Sequence, residues 1–115
     1  MSDDDFLKLS QKARSLVRHG KYRISLHALE DHPERQITAV DILEVLKIGH
    51  IATAEPNMKD GKTLYSGDQR YRWFGEDQND RVLRLIIAVK GNVVVISAAE
   101  ATEGQARRYR EDEKE

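Results

Sequence analysis

From Val82 to Val89 every position is apolar except Arg84, and a second β-rich run begins at Val93. Between them, Gly91-Asn92 reads as a two-residue hairpin turn of type II′. Few features restrict a fold more, because such a turn admits one register. It sets Lys90 against Val93, Ala88 against Val95, Ile86 against Ser97 and Arg84 against Ala99. Alternation then divides the hairpin into two faces. One carries Leu83, Leu85, Ile87, Val89, Val94, Ile96 and Ala98, and is the face expected to receive helices. The other carries Arg84, Ile86, Ala88, Val93, Val95, Ser97 and Ala99.

A strand so continuously apolar belongs in the middle of a sheet. Arg84 therefore needs an explanation, and two are available. Its stem lies on the sheet while its head pairs with a carboxylate such as Glu30 or Asp31, or its guanidinium floors a shallow groove, placed for a phosphate.

The helices that such a sheet needs come earlier in the chain. Phe6, Leu9, Ala13, Leu16 and Val17 recur at helical spacing in the stretch from Asp3 to His19, and Gly20 closes it. Asp3, Asp4 and Asp5 stand where the macrodipole favours negative charge. Lys21 to Ser25 reads as extended, and Leu26 to Glu34 as a helical turn or two broken by Pro33. The best-punctuated helix follows. Thr38 is its N-cap with Asp41 at N3, Ile37 and Ile42 form a hydrophobic staple, and Gly49 ends it as a C′ glycine. Its buried stripe is Val40, Ile42, Leu43, Val45 and Leu46, with Glu44 and Lys47 left to solvent. After Gly49 the pattern is sheet: His50 to Glu55, a turn from Pro56-Asn57 to Gly61, then Lys62 to Ser66 and Gln69 to Phe74 around Gly67-Asp68. Gly75 to Asp80 is a polar loop. A last helix begins at Thr102, which forms a capping-box pattern with Gln105. Ala106 and Tyr109 are placed to face the sheet, and Arg107, Arg108 and Arg110 fan outward.

At 115 residues the chain suits one domain, taken as 1–110, with 111–115 a disordered acidic tail. No apolar run approaches the ~20 residues of a membrane span. The acidic start lacks a signal-type core, and a cytoplasmic protein is the simple expectation. The absence of cysteine excludes disulfides and thiolate metal sites. The formal net charge is −1, without the basic surplus usual in nucleic-acid binders. The acids, however, concentrate at the two ends. From Lys62 to Arg110 nine Lys or Arg stand against six Asp or Glu, a balance that permits a phosphate-binding face.

The segments Ser25-Leu26-His27-Ala28-Leu29-Glu30 and Glu34-Arg35-Gln36-Ile37-Thr38, followed by a helix ending in Gly49, resemble a family of small bacterial domains of unknown function. That family lies near the RelE/ParE superfamily, with a signature of the form S-x-H-A-x-x-R…R-x-I-[ST]-x-x-[DE]-[IV]…G. Ser25, His27, Ala28, Arg35, Ile37, Thr38, Asp41, Ile42 and Gly49 match it, whereas Asp31 stands where the family carries an arginine. Ile96-Ser97-Ala98, Ala101-Thr102 and Arg107-Arg108-Tyr109 are similar to the tail of BrnT-like ribonuclease toxins. The resemblance implies an α+β fold: a curved antiparallel sheet of about four to five strands, N-terminal helices on one face and a C-terminal helix. It also implies metal-independent RNA cleavage on the open face, where a 2′-hydroxyl attacks the adjacent phosphate, with an antitoxin protein as partner. On this chain His27 is then the natural base or acid, since imidazole titrates nearest neutrality. Arg84 with Arg72, Arg70 or both would hold the phosphate, and Tyr71 or Trp73 would stack on a base. Arg35 and Ser97 complete the substrate-binding set, and no cofactor is implied.

Plainer readings stand beside these. His27, Glu30 and His32 suggest a metal cluster, but i, i+5 spacing does not bring both rings to one helical face, so no metal is expected. His27 alone also reads as a locally hydrogen-bonded residue beside a strand. Arg70, Tyr71, Arg72 and Trp73 fit a groove wall or an ordinary half-exposed strand. Three functions follow: a ribonuclease toxin, a non-catalytic module binding protein or nucleic acid through the open face, and an enzyme acting on another substrate there.

Overall fold

A computed structural model describes residues 3–30, 37–55, 58–59, 62–63 and 69–113. The elements in order are α1 (Asp3–Arg18), β1 (Tyr22–Ile24), α2 (Leu26–Glu30), α3 (Ala39–Ile48), β2 (His50–Glu55), β3 (Met58–Lys59), β4 (Lys62–Thr63), β5 (Arg70–Glu76), β6 (Val82–Val89), β7 (Val93–Glu100) and α4 (Glu103–Glu113). Five strands form an open sheet in the order β1-β7-β6-β5-β2, while β3 and β4 pair as a separate two-stranded ribbon. The fold is α+β, with β6 central as its apolar run requires. The sheet is mixed rather than wholly antiparallel, because β1 pairs parallel with β7. The turns expected around Pro56-Asn57 and Gly67-Asp68 lie outside the described residues.

The helix ends follow local chemistry. At the end of α1, Gly20 adopts φ +76°. The Lys21 and Gly20 amides donate to the Leu16 and Val17 carbonyls at 2.8 and 3.0 Å, a Schellman closure that needs the left-handed glycine. Before α3, Thr38 Oγ1 accepts from the Asp41 amide at 3.2 Å, and Asp41 Oδ2 accepts from the Thr38 amide at 2.9 Å. Thr102 and Gln105 repeat this reciprocal cap before α4. That helix continues to Glu113. Val40 departs from the expected stripe and is exposed. Two residues before buried Ile42, it points about 200° away around the helix.

Gly49 is needed for a different reason than the one expected. Its φ is −84°, which any residue adopts. What it lacks is room: a Cβ there would meet the Phe74 carbonyl and Trp73 Nε1. Gly75, expected in a loop, is instead inside β5, where a Cβ would press on Val45 Cγ1 at 2.8 Å. These glycines let α3 close on β5, and the Val45 carbonyl accepts from both the Gly49 amide and Trp73 Nε1 at 2.8 Å.

The hairpin corrects its own predicted register. Near the turn Val89 faces Val93 and Ile87 faces Val95, whereas Ile86 faces Ser97 and Arg84 faces Ala99. Gly91 does not take the positive φ of a type II′ turn. Lys90, Gly91 and Asn92 form the connection, with the Lys90 amide donating to the Asn92 carbonyl at 3.0 Å. Ile96 is the extra residue of a bulge. The outcome is that Val93 and Val95 turn into the core and Val94 out of it.

The core lies between this face and helices α1 to α3, and includes Ala13, Val17, Ile42, Leu46, Trp73, Leu83, Leu85 and Ile87. α1 also covers the outer edge of β2. The Ile51 amide donates to buried Ser10 Oγ at 2.9 Å, and Arg14 donates to the Gly49 carbonyl at 2.7 Å. Capping an edge strand in this way withholds it from another chain.

Candidate functional site: the second face of the sheet

Residues opposite one another in a ladder share a face, so the register settles which arginines are neighbours. Phe74 faces Arg84, which faces Ala99. In the next row Thr53 faces Arg72, which faces Ile86, which faces Ser97. Arg70 lies two residues from Arg72 on the same side of β5. At the far edge, exposed Arg23 pairs with Val94. Arg23, Arg70, Arg72, Arg84 and Ser97 thus occupy one face, turned away from the helical layer. Arg72 and Arg84 are diagonal neighbours, about 7–8 Å apart at the backbone. Glu76, the acid at the far end of this face, is taken by Arg110 at 3.2 Å.

Arg84 is the distinctive member. It is half-buried, and its Nε is enclosed without a hydrogen-bond partner. It forms no ion pair among the described residues. Pairing with Asp31 or with the Glu30 side chain lies outside the described residues. An enclosed N–H without a partner costs about 1–3 kcal/mol, so packing alone does not account for an arginine at this position. Ala99, which faces Arg84 across the ladder, is small.

Tyr71 and Trp73 belong to the other side. Trp73 is fully buried with its Nε1 committed to Val45, and Tyr71 lies in the same core with its ring edge-on to Phe6 at 6.4 Å. Neither offers a ring face to a base. The alternation Arg70-Tyr71-Arg72-Trp73 therefore divides between the two faces, aromatics inward and guanidinium groups outward.

The histidine motif is explained residue by residue. Ser25 Oγ accepts from the Ala28 amide at 3.2 Å, capping α2, and donates to the Ile96 carbonyl at 2.9 Å. It thereby holds the bulge. Ala28 is completely buried against the core. His27 between them is exposed. It stands on α2 beside β1 and β7, with β7 between it and the arginines of β5 and β6. The expected trio of His27, Arg72 and Arg84 shares no ladder row. Arg35 lies outside the described residues.

A second imidazole comes closer to Arg84. His50 faces Phe74 in the row that contains Arg84, and its ring stacks on Tyr109 of α4 at 5.3 Å and 18°. α4 reaches this corner because Tyr109 buries against Phe74 and Val82. Beside the stack, a cleft of about 780 Å³ opens between α1, the edge of β2 and α4, with Arg72 and Arg108 in its lining. His50 was not singled out from the sequence. Nothing local to it signals a partner 59 positions later.

Among the described residues no group of three His, Asp or Glu converges as a metal site, and no helix is long and apolar enough to cross a membrane. A family model described as a domain of unknown function (DUF4258) matches residues 24–100, which contain the Ser25 motif, α3 and the sheet from β2 to β7. No curated protein and no solved structure matches the chain.

Proposed function

The chain belongs to the family described as a domain of unknown function (DUF4258), a description that names no activity, and from its own geometry we propose that it binds RNA along the arginine-bearing face. The observation that carries this reading is Arg84, a half-buried guanidinium with an enclosed, unpartnered Nε on a central strand. A phosphate oxygen would bind the part of this guanidinium that is not enclosed, giving the charge an acceptor that no described residue supplies. Arg72, Arg70 and Arg23 extend the same polarity across the face, so a chain of phosphates is served better than one small anion. With Tyr71 and Trp73 turned inward, recognition rests on the backbone and is tolerant of sequence.

A cleaving form of this reading is the metal-independent ribonuclease of a toxin-antitoxin pair, acting in the cytoplasm and related to RelE and BrnT proteins. The exposure of His27 and the placement of His50 in the row of Arg84 favour it. Either imidazole would serve a 2′-hydroxyl attack, with the arginines neutralising the phosphate.

Fluorescence anisotropy with a labelled single-stranded RNA in EDTA tests binding. Arg84→Ala is expected to weaken affinity at least tenfold and to lower the salt slope by about one, while Lys12→Ala on α1 leaves both unchanged. Equal affinity for the Arg84 variant and the parent would remove the proposal. Running the same samples on a denaturing gel reports cleavage, which is expected to disappear in His50→Ala or His27→Ala if the second form holds.

A further inference from the structure

The cleft beside α4 has properties that the arginine face lacks. Its walls are apolar where α1 contributes Phe6 and half-exposed Leu7. Its rim carries two guanidinium groups, Arg72 from β5 and Arg108 from α4, and no acid is among the described residues that line it. Arg108 is exposed and forms no ion pair among the described residues. Along its β2 side the strand bulges: Ile51 faces Trp73 and Thr53 faces Arg72, which leaves exposed Ala52 without a partner in the ladder. A bulge residue presents backbone N–H and C=O groups that no neighbouring strand uses. A volume near 780 Å³ falls in the range of pockets for small ligands.

These features call for a ligand with a flat ring, hydrogen-bonding groups on the ring edge, and an anion on a short tether. We infer that the cleft binds one nucleotide, its base against Phe6, Leu7 and the Ala52 peptide and its phosphate between Arg72 and Arg108. The apolar walls remove the ring from water, the bulge meets its polar edge, and paired guanidinium groups favour a phosphate dianion over a single carboxylate. Because Arg72 also belongs to the arginine face, this deepens the RNA-binding reading. The nucleotide is either free or the 5′-terminal residue of an RNA lying on the sheet.

The test is a nuclear magnetic resonance titration of the ¹⁵N-labelled protein with AMP, with adenosine and inorganic phosphate as fragments. AMP is expected to bind at least tenfold more tightly than either fragment, and to shift the amides of Ala52, Thr53, Gly104 and Gln105. Arg108→Ala and Leu7→Glu, both at exposed positions, are each expected to weaken AMP tenfold while shifts of the free protein stay confined to amides near the substitution. Equal binding of AMP and phosphate, or AMP binding indifferent to both substitutions, would overturn the inference. RNA octamers with and without a 5′-phosphate then identify the source. A tenfold gain from the phosphate that vanishes in Arg108→Ala assigns the cleft to an RNA end, and AMP binding without that gain assigns it to a free nucleotide. Arg84→Ala separates the two sites. If it abolishes RNA binding and spares AMP, both stand, whereas AMP binding by a protein that never binds RNA leaves the cleft and removes the arginine-face reading.

Discussion

The two faces of the sheet are built from the same strands and serve opposite ends. On the helical side Trp73, Leu83, Leu85, Ile87, Val93 and Val95 are closed from water, and even the indole N–H has a partner. On the other side Arg84 retains an enclosed nitrogen with none. One face closes over apolar side chains and a partnered indole, while the other holds a charge that stability alone would exchange for an apolar residue. The difference teaches where to look for function: not where the packing is best, but where a buried polar group is left waiting for an acceptor.

If the division is real, substitutions on the helical side should cost stability, and substitutions on the second face should cost binding. The largest effect is expected from Trp73→Ala, which removes a fully buried ring and a hydrogen bond to Val45. A loss of about 3–5 kcal/mol in urea unfolding is expected; a loss below 1 kcal/mol would mean that this face is not the core. Next comes Asp77→Ala. Asp77 is buried, accepts from the Asn79 and Arg81 amides, and pairs with Arg81, which reaches on to Asp41 in the cap of α3. About 1–3 kcal/mol should go, because several donors lose one acceptor. Ser25→Ala loses the α2 cap and the hold on the Ile96 bulge, worth about 1 kcal/mol. Hydrogen exchange should show the loss concentrated near Ile96, and a uniform change would argue against the latch. The smallest change in stability belongs to Arg84→Met, which keeps the stem and deletes the guanidinium. Its unfolding free energy is expected to hold or rise by up to about 1 kcal/mol, while RNA affinity falls tenfold. A clear loss of stability would show that Arg84 is structural and would erase the contrast between the faces.

Much of this architecture was legible because it is local. The Thr38–Asp41 and Thr102–Gln105 caps and the glycine after α1 are interactions within a few residues, which spacing alone reveals. The central place of β6 was legible from its unbroken apolar run. Arg84 was recognisable for the same reason, as the single interruption. The faces of β7 were not, because one extra residue at Ile96 reverses the alternation and no sequence pattern marks where a bulge falls. Gly75 looked like a loop residue because its reason is Val45, thirty positions earlier. The second imidazole, His50, was hidden likewise, since its ring partner is on the last helix.

By itself, the sequence determined the caps of α3 and α4, the glycine closure of α1, the existence of the hairpin and the one arginine that a central strand should not contain. These depend on hydrogen bonds and alternation over short separations, where the chain leaves few choices. Tertiary structure decided the parallel seat of β1, the inward turn of Val93 and Val95, the sorting of Arg70 and Arg72 from Tyr71 and Trp73, and the cleft where α1 meets α4. Each is a matter of parity or of distant approach. A one-residue shift costs little locally and is settled only by which arrangement buries more apolar surface across the whole sheet.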